Sequence, residues 1–293
     1  MKPRKGKVTV GKELMEKASM ADFSSPVNLV VAHAIEAKPI IQQFGLKSVN
    51  GGAFRRYQGQ GVNLVVSGIG RVNAAAATAY LSAVTLDDSM YDPIWINTGI
   101  AGHKTFELGV SVIIRKITDP VTRRSYYPLP IASSLPSSDL VTVDVPEEEY
   151  SQNAAFDMEG SAFWSIATKF SPIEFVQLLK IISDNPESGI NTLSKDKIEN
   201  FMDELAVGLQ MLITELQALA SQHNCAISLP AAYEKMAQHF NFTVTQSSQL
   251  RRACQQFRAA GLEQKLEEIS TLKFHSAKQL LAEINAGLER FTI

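Results

Sequence analysis

The sequence predicts an α/β protein with three α/β/α layers around a mixed central sheet, followed by a C-terminal helical appendage. Short continuous apolar runs, namely NLVVAHA (28–34), VNLVVSG (62–68) and FVQLLKIIS (175–183), are typical of strands buried on both faces. Segments with helical spacing alternate with these runs, which favours helices on both sides of one sheet. From about residue 223 only helical segments follow.

Composition and charge bound the class of protein. The chain has 293 residues, of which 20% are charged, and a formal net charge of -2, so we expect no general affinity for nucleic acid. Cys225 and Cys254 lack the spacing of a metal site or a disulfide framework. The basic start has no apolar core of a signal peptide, and no apolar run reaches the ~18 residues of a membrane helix. We therefore expect a cytoplasmic protein without a metal.

The segments divide into three parts. An N-terminal arm (1–25), with a helical stretch VGKELMEKASM, ends at a Ser-Ser-Pro break before an α/β domain (26–222). The helical appendage (223–293) carries eight Lys and Arg against six Glu, an excess of two. A helix-turn-helix can be drawn through residues 233–257, but so small an excess favours packing or dimerisation instead.

The first strands lead directly into turns and helices. NLVVAHA is followed by IEAKPIIQQFGL, a helix with Glu36 near its start that Gly45 closes. AFRRYQGQGVNLVVSG predicts a hairpin around the turn Gly59-Gln60-Gly61. Its second strand runs into SGIG (67–70) and an alanine-rich helix, so that backbone N–H groups can approach a ligand.

A dinucleotide-binding turn is the alternative interpretation of SGIG. The third glycine of the GxGxxG pattern falls on Asn73, and the next strand, DPIWINTG, ends in Asn97 and Thr98. An acid that could hold a ribose hydroxyl is missing at that strand end, so a dinucleotide site is disfavoured.

The stretch from Phe156 to Asp184 holds two candidate site carboxylates. Met158 and Glu159 stand at the head of a helix, and Asp184 follows an apolar strand. Ligands of open α/β proteins bind where such strands end. A purely structural alternative makes Glu159 a favourable anion in a first helical turn and Asp184 a cap.

Six motifs occur in an order that resembles the nucleoside phosphorylase and nucleosidase superfamily. They are VVAHAIEAKPI, VVSGIGRVNAAAA, INTGIAG, LGVSVIIRKITD, FDMEGSAFW and LLKIISD. The resemblance is strongest to the 5′-methylthioadenosine/S-adenosylhomocysteine nucleosidase branch and covers residues 28–220. It implies a phosphorylase/hydrolase-like fold, no cofactor and a homodimer.

The resemblance also implies roles for individual residues. Asp184 would face N7 of the purine, and Glu36 would activate the attacking water. Breaking an N-glycosidic bond places positive charge on the ribose and negative charge on the base, which an acid and a base at these positions relieve. The implied substrate-binding residues are Glu159 at the ribose hydroxyls, Met158 beside the sugar, Ser67 and Gly68 in the same pocket, Val145 in the base-reading segment, and Lys180, where nucleosidases usually have arginine.

The expected reaction is hydrolysis of a purine nucleoside or thionucleoside, such as methylthioadenosine or adenosylhomocysteine, to free base and sugar. Glu36 would repel phosphate at the place where phosphorylases hold that anion, which favours water as the nucleophile. Phosphorolysis is one alternative. The other is a non-catalytic nucleoside-binding regulatory protein whose helical appendage contacts a partner.

Overall fold

The computed structural model describes residues 25–85, 91–131 and 134–289. Nearly all of the predicted N-terminal arm, including its helical stretch, lies outside these ranges. The chain divides into two compact units between Ala220 and Ser221. Within the described ranges, no helix combines the length and apolar character that crossing a membrane demands.

The described residues of the first unit form a ten-stranded sheet. Its strands are β1 (Val27–Val31), β2 (Lys47–Val49), β3 (Arg55–Gly59), β4 (Val62–Val66), β5 (Ile94–His103), β6 (Ser111–Asp119), β7 (Arg124–Tyr126), β8 (Ser137–Thr142), β9 (Ala155–Asp157) and β10 (Val176–Asp184). The helices are α1 (Ala34–Gln43), α2 (Arg71–Thr85), α3 (Gly160–Ala167) and α4 (Lys195–Ile227), with short 3₁₀ turns at Ile173–Phe175 and Ile190–Thr192.

The sheet is mixed, as predicted. Strand β1 pairs in parallel with β4 and β5, β5 pairs in parallel with β10, and β3 pairs antiparallel with β2 and β4. Strand β5 also pairs with β9, and the path β10-β6-β8-β9 returns to β5. This half of the sheet therefore closes into a ring, which the sequence did not indicate.

Helices cover both faces of the sheet, which confirms the predicted three layers. Leu29 and Val31 pack into a cluster with α1 and α4, whereas Val30 between them packs into a second cluster with α2 and α3. Successive residues of a strand point to opposite faces, and both faces here are apolar and buried. This explains the continuous apolar runs in the sequence.

Two strands end at other residues than the sequence suggests. Strand β5 continues beyond Asn97 and Thr98 as far as His103. The apolar run DLVTVDV suggests a strand over residues 139–145, but β8 ends at Thr142, so the residues that follow form the start of a loop that runs to β9. This loop, residues 143–154, borders the candidate site described below and is called the base-side loop, because the predicted base-reading segment falls in it.

The second unit is helical in its described residues, as predicted. The last turns of α4 are followed by α5 (Ala231–Ala237), α6 (Val244–Ala259), α7 (Glu263–Ser270) and α8 (Ala277–Glu289). Thr243 caps α6 in a capping box with Gln246. Leu250, Phe257 and Ile284 lie in an apolar core of this unit's own, and burial in it raises the pKa of the Cys254 thiol to about 12.

Candidate active site

The carboxyl ends of β1, β4, β5 and β10 meet at one edge of the sheet, because these strands are parallel neighbours. At this edge lies a cavity of about 180 Å³. It is lined by four of the predicted site residues, namely Glu36, Met158, Glu159 and Asp184. The ends of parallel strands are where α/β proteins bind ligands, so this cavity is the candidate active site.

Glu36 enters the cavity from the first turn of α1. It forms a capping box with His33, whose backbone N–H donates to Glu36 Oε2 at 3.3 Å. A Cβ at Gly99 would lie 3.0 Å from the same oxygen, so glycine on β5 leaves room for the carboxyl group. Burial, only partly offset by Lys180, raises the pKa of Glu36 from 4.5 to about 7. A carboxylate with such a pKa is suited to accept a proton near neutral pH.

Glu159 lies at the N-cap of α3 and joins two motifs. Its Oε1 accepts a hydrogen bond of 2.7 Å from the backbone N–H of Gly70, the last residue of SGIG. Gly70 has φ +97, which favours glycine. Burial and the nearby Asp157 carboxylate raise the pKa of Glu159. SGIG therefore offers a backbone N–H group to the protein's own Glu159 carboxylate.

Lys180 lies among the acidic side chains and is only 2% exposed. Its Nζ contacts Asp157 Oδ2 at 2.9 Å. Burial alone would lower the pKa of Lys180, but Asp157, Glu159 and Glu36 outweigh it and raise the pKa. The lysine is therefore a buried counter-charge for three carboxylates rather than part of the cavity wall.

Asp184 ends β10 with both carboxyl oxygens engaged. The hydroxyl of Ser183 donates to Oδ1 at 2.6 Å, and the hydroxyl of Tyr150 donates to Oδ2 at 2.5 Å. A Cβ at Gly102 would lie 2.4 Å from Asp184 Oδ2. Two glycines of the INTGIAG motif thus leave room for site carboxyl groups, Gly99 for Glu36 and Gly102 for Asp184.

Besides Lys180, three predicted site residues do not line the cavity. Ser67 is buried, and its hydroxyl donates to the carbonyl of Gly68 at 2.8 Å. Neither of these two residues lines the cavity, although the adjacent Ile69 does. Val145 is 71% exposed and does not line it either, because β8 ends before it and its neighbours Val143 and Pro146 occupy the wall.

Arg71 anchors the start of the base-side loop. Its guanidinium contacts Asp119 at 2.6 Å and Asp144 at 2.7 Å, and it donates to the carbonyl of Thr142. Burial acts to lower the pKa of Arg71, but the two carboxylates outweigh it and raise the pKa. The first helical residue after SGIG thereby ties the loop to α2.

The sequence did not indicate Tyr150, Ser183 or Glu147 as site residues, although Ser183 and Glu147 line the cavity. Ser183 lies inside the ISD motif, so its neighbour Asp184 was a usable signal. Tyr150 is the aromatic residue of the base-side loop, and it follows a run of three glutamates that resembles an ordinary solvated segment.

The fold is similar to that of solved nucleosidase structures, which confirms the predicted fold. Among solved structures, 5′-methylthioadenosine nucleosidase from Arabidopsis thaliana in its apo form aligns with a TM-score of 0.55 and 19% identity, over 66% of this chain and 96% of that one. The 5′-methylthioadenosine/S-adenosylhomocysteine nucleosidase from Helicobacter pylori with butyl-thio-DADMe-Immucillin-A aligns with a TM-score of 0.54 and 16% identity, over 66% and 99%.

A third similar structure is the futalosine hydrolase of Helicobacter pylori strain 26695, with a TM-score of 0.54 and 16% identity over 67% of this chain and all of that one. Neither protein-family models nor curated protein sequences give a match to this chain. The similarity is therefore one of fold, and the chemistry has to be argued from the side chains.

Proposed function

We propose that this protein hydrolyses the N-glycosidic bond of a purine nucleoside or thionucleoside and releases the free base and the sugar. The observation that carries the proposal is the convergence of Glu36, Glu159 and Asp184 on one cavity, with the pKa of Glu36 raised to about 7. The similar structures include nucleosidases of methylthioadenosine and a futalosine hydrolase, which supports this class of substrate.

The proposed reaction divides the work among the three carboxyl groups. Cleavage of the bond between C1′ and N9 leaves positive charge on the ribose ring, which the negative charge of Glu159 at the ribose hydroxyls stabilises. The electron pair of the broken bond moves to the base, and Asp184 provides the proton that N7 takes up. Glu36 accepts a proton from water as the oxygen of that water bonds to C1′, so that the products are a neutral base that carries the new proton on N7 and a free sugar.

Water is favoured over phosphate by the charge around the cavity. Among the described residues that line it, acidic side chains are present and neither arginine nor lysine occurs. The buried Lys180 is already paired with Asp157. An incoming phosphate would meet uncompensated negative charge, whereas a neutral water molecule would not. Phosphorolysis remains the alternative reaction.

The size of the cavity bears on the substrate. Its volume of about 180 Å³ is below the ~300–1,000 Å³ typical of ligand pockets. A whole nucleoside therefore extends beyond this space, or the wall formed by Val143, Pro146 and Glu147 moves outward to admit it. We propose that the base lies on this side, beside Asp184, and the sugar beside Met158 and Glu159.

Product release tests the function. The purified chain is incubated with methylthioadenosine, adenosylhomocysteine, futalosine and inosine, each with and without phosphate, while free base is measured. Release without phosphate is the expected result. If none of the substrates released a free base, the proposal that the protein is an enzyme would be rejected. Strict dependence of the release on phosphate would show a phosphorylase.

A non-catalytic nucleoside-binding protein is the second candidate. The observation in its favour is that both oxygens of Asp184 already accept hydrogen bonds from protein hydroxyls. Calorimetry that shows nucleoside binding, together with no product after prolonged incubation, would favour it. We further propose a homodimer and a cytoplasmic location, and light scattering of the purified chain tests the first of these.

A further inference from the structure

Tyr150 is a buried polar residue for which the reaction above has no role. Only 2% of it is exposed, and its ring packs edge-to-face on Phe156 with centroids 6.1 Å apart. Its hydroxyl donates to Asp184 Oδ2 at 2.5 Å, while Ser183 holds Oδ1. A hydrogen bond of this length restrains both partners, so the tyrosine helps to set where the carboxyl group lies.

The strand opposite this pair is shaped to admit it. A Cβ at Gly102 would lie 2.4 Å from Asp184 Oδ2 and 2.9 Å from Tyr150 Cε1. Any larger residue there would displace one partner or the other. Glycine on β5 therefore accommodates the hydrogen-bonded pair and not the aspartate alone.

A tight turn in the base-side loop places Tyr150 beside Asp184. Glu147 Oε1 accepts the backbone N–H groups of Glu149 at 2.8 Å and Tyr150 at 3.0 Å. Tyr150 has φ +47, a left-handed conformation that bulky residues rarely adopt. Such a conformation persists only where the surroundings over-determine it, and it is typical of functional sites.

The turn connects the cavity wall to the aspartate. Glu147 lines the cavity, whereas Tyr150 does not and lies behind Asp184. We propose that Tyr150 is a positioning residue, which couples the part of the base-side loop that meets the purine to the carboxyl group that serves N7. This inference rests on the proposed function.

The phenol is suited to that role because it stays protonated. Burial, and then Asp184 itself, raise the pKa of Tyr150 well above its ordinary value. The hydroxyl thus remains a donor throughout the neutral range. If the base-side loop moves outward to admit a nucleoside, the Tyr150 hydroxyl moves with it. Binding of the base is thereby linked to the position of the Asp184 carboxyl group.

Tyr150→Phe tests the coupling because it keeps the ring and removes only the hydroxyl. We expect kcat to fall about tenfold to a hundredfold with KM within about threefold, since Tyr150 orients the group that assists the leaving base but does not line the cavity. Tyr126→Phe is the matched control, because Tyr126 lies on β7 and its ring packs beside Trp164 of α3. A kcat within about twofold of the wild type, or a rise in KM alone, would overturn the proposal.

A second measurement needs no substrate, so it separates this proposal from the proposed function. The full chain, with its seven tyrosines replaced by 3-fluorotyrosine, is studied by fluorine NMR, and Tyr150→Phe identifies the Tyr150 signal. Asp184→Ala should move this signal more than any other tyrosine signal, whereas Asp139→Ala, which removes a surface partner of Arg115, should not. An unmoved Tyr150 signal contradicts the coupling, even if the wild type hydrolyses nucleosides. If Asp184→Ala moves the Tyr150 signal but the wild type releases no base, the coupling is supported and only the proposed hydrolase activity is rejected.

Discussion

Lys180 Nζ lies 2.9 Å from Oδ2 of Asp157, and both side chains are almost completely shielded from solvent. The same ammonium group also attracts Glu159 and Glu36. A single positive charge is thus buried with three carboxylates, all of which line the cavity beside it. Burying a charge is costly unless it is paired, so this lysine makes the acidic site possible within the sheet.

Replacing Lys180 by methionine should therefore destabilise the protein strongly. The substitution keeps an unbranched apolar chain but leaves Asp157 buried without its partner, which costs about 3–5 kcal/mol of the free energy of unfolding. Lys180→Arg is the control, because it keeps the charge. Urea denaturation should rank the wild type above the arginine variant and the methionine variant last. Equal stability of the two variants would show that charge is not what the position requires.

The activity should rise with pH through the pKa of Glu36. This group acts as a base only when it is ionised, and its pKa is about 7, so kcat/KM should fall about tenfold for each pH unit below that value. Glu36→Gln should lower kcat by about a hundredfold or more and abolish this limb of the profile. A limb near the ordinary glutamate pKa in the wild type would contradict the assignment.

The difference in stability between Glu36→Gln and the wild type should depend on pH in a defined direction, because Glu36 titrates only in the wild type. At pH values below 4.5 the glutamate is protonated in both folded and unfolded chains. Between 4.5 and about 7 only the folded chain holds the proton, so stability falls as pH rises, and above 7 the full cost of the buried charge is present.

Because glutamine carries no charge and can still accept the His33 N–H, the variant should gain up to about 3 kcal/mol over the wild type above pH 7 and little at pH 4. Thermal or urea unfolding at both pH values measures the difference. A variant equally destabilised at both would show that burial of the charge is not the dominant cost.

A methyl group at Gly102 should damage the site while leaving the helical unit unaffected. In Gly102→Ala the new Cβ would lie 2.4 Å from Asp184 Oδ2, so the carboxyl group has to move. We expect a loss of kcat comparable with that of Tyr150→Phe or larger. Gly189→Ala is the matched control, since no atom lies within 4 Å of a Cβ there and its φ is -66. Similar rates for the two variants would contradict the packing argument.

The sequence was informative wherever local pattern decides structure. Strands buried on both faces are continuous apolar runs, and ligands bind where such strands end, so the pattern placed Asp184 at a candidate site. Glu36 and Glu159 were placed beside it by the family resemblance. The helical character of the chain after residue 223 could be read from the spacing of its apolar residues.

What could not be predicted depends on distant pairings. The closure of the sheet requires β5 to pair with β1, β9 and β10, and no local pattern specifies this. The direction of the Tyr150 side chain depends on a left-handed backbone conformation, which the Glu147 side chain stabilises. It also depends on the space left at Gly102, about fifty residues earlier in the chain. Lys180 was predicted to bind substrate, because the sequence does not show that its ammonium group would be taken by Asp157.

The central claim is that water attacks C1′ under the control of Glu36. Hydrolysis of a nucleoside in water enriched in heavy oxygen, in phosphate-free buffer, tests it most directly when the sugar product is reduced at once and then analysed by mass spectrometry. Reduction stops the exchange of the C1 oxygen with the solvent. We predict one heavy oxygen at C1 of the released sugar, at a rate that Glu36→Gln reduces by about a hundredfold or more. A sugar released without the label, or released at the wild-type rate by Glu36→Gln, would contradict the account.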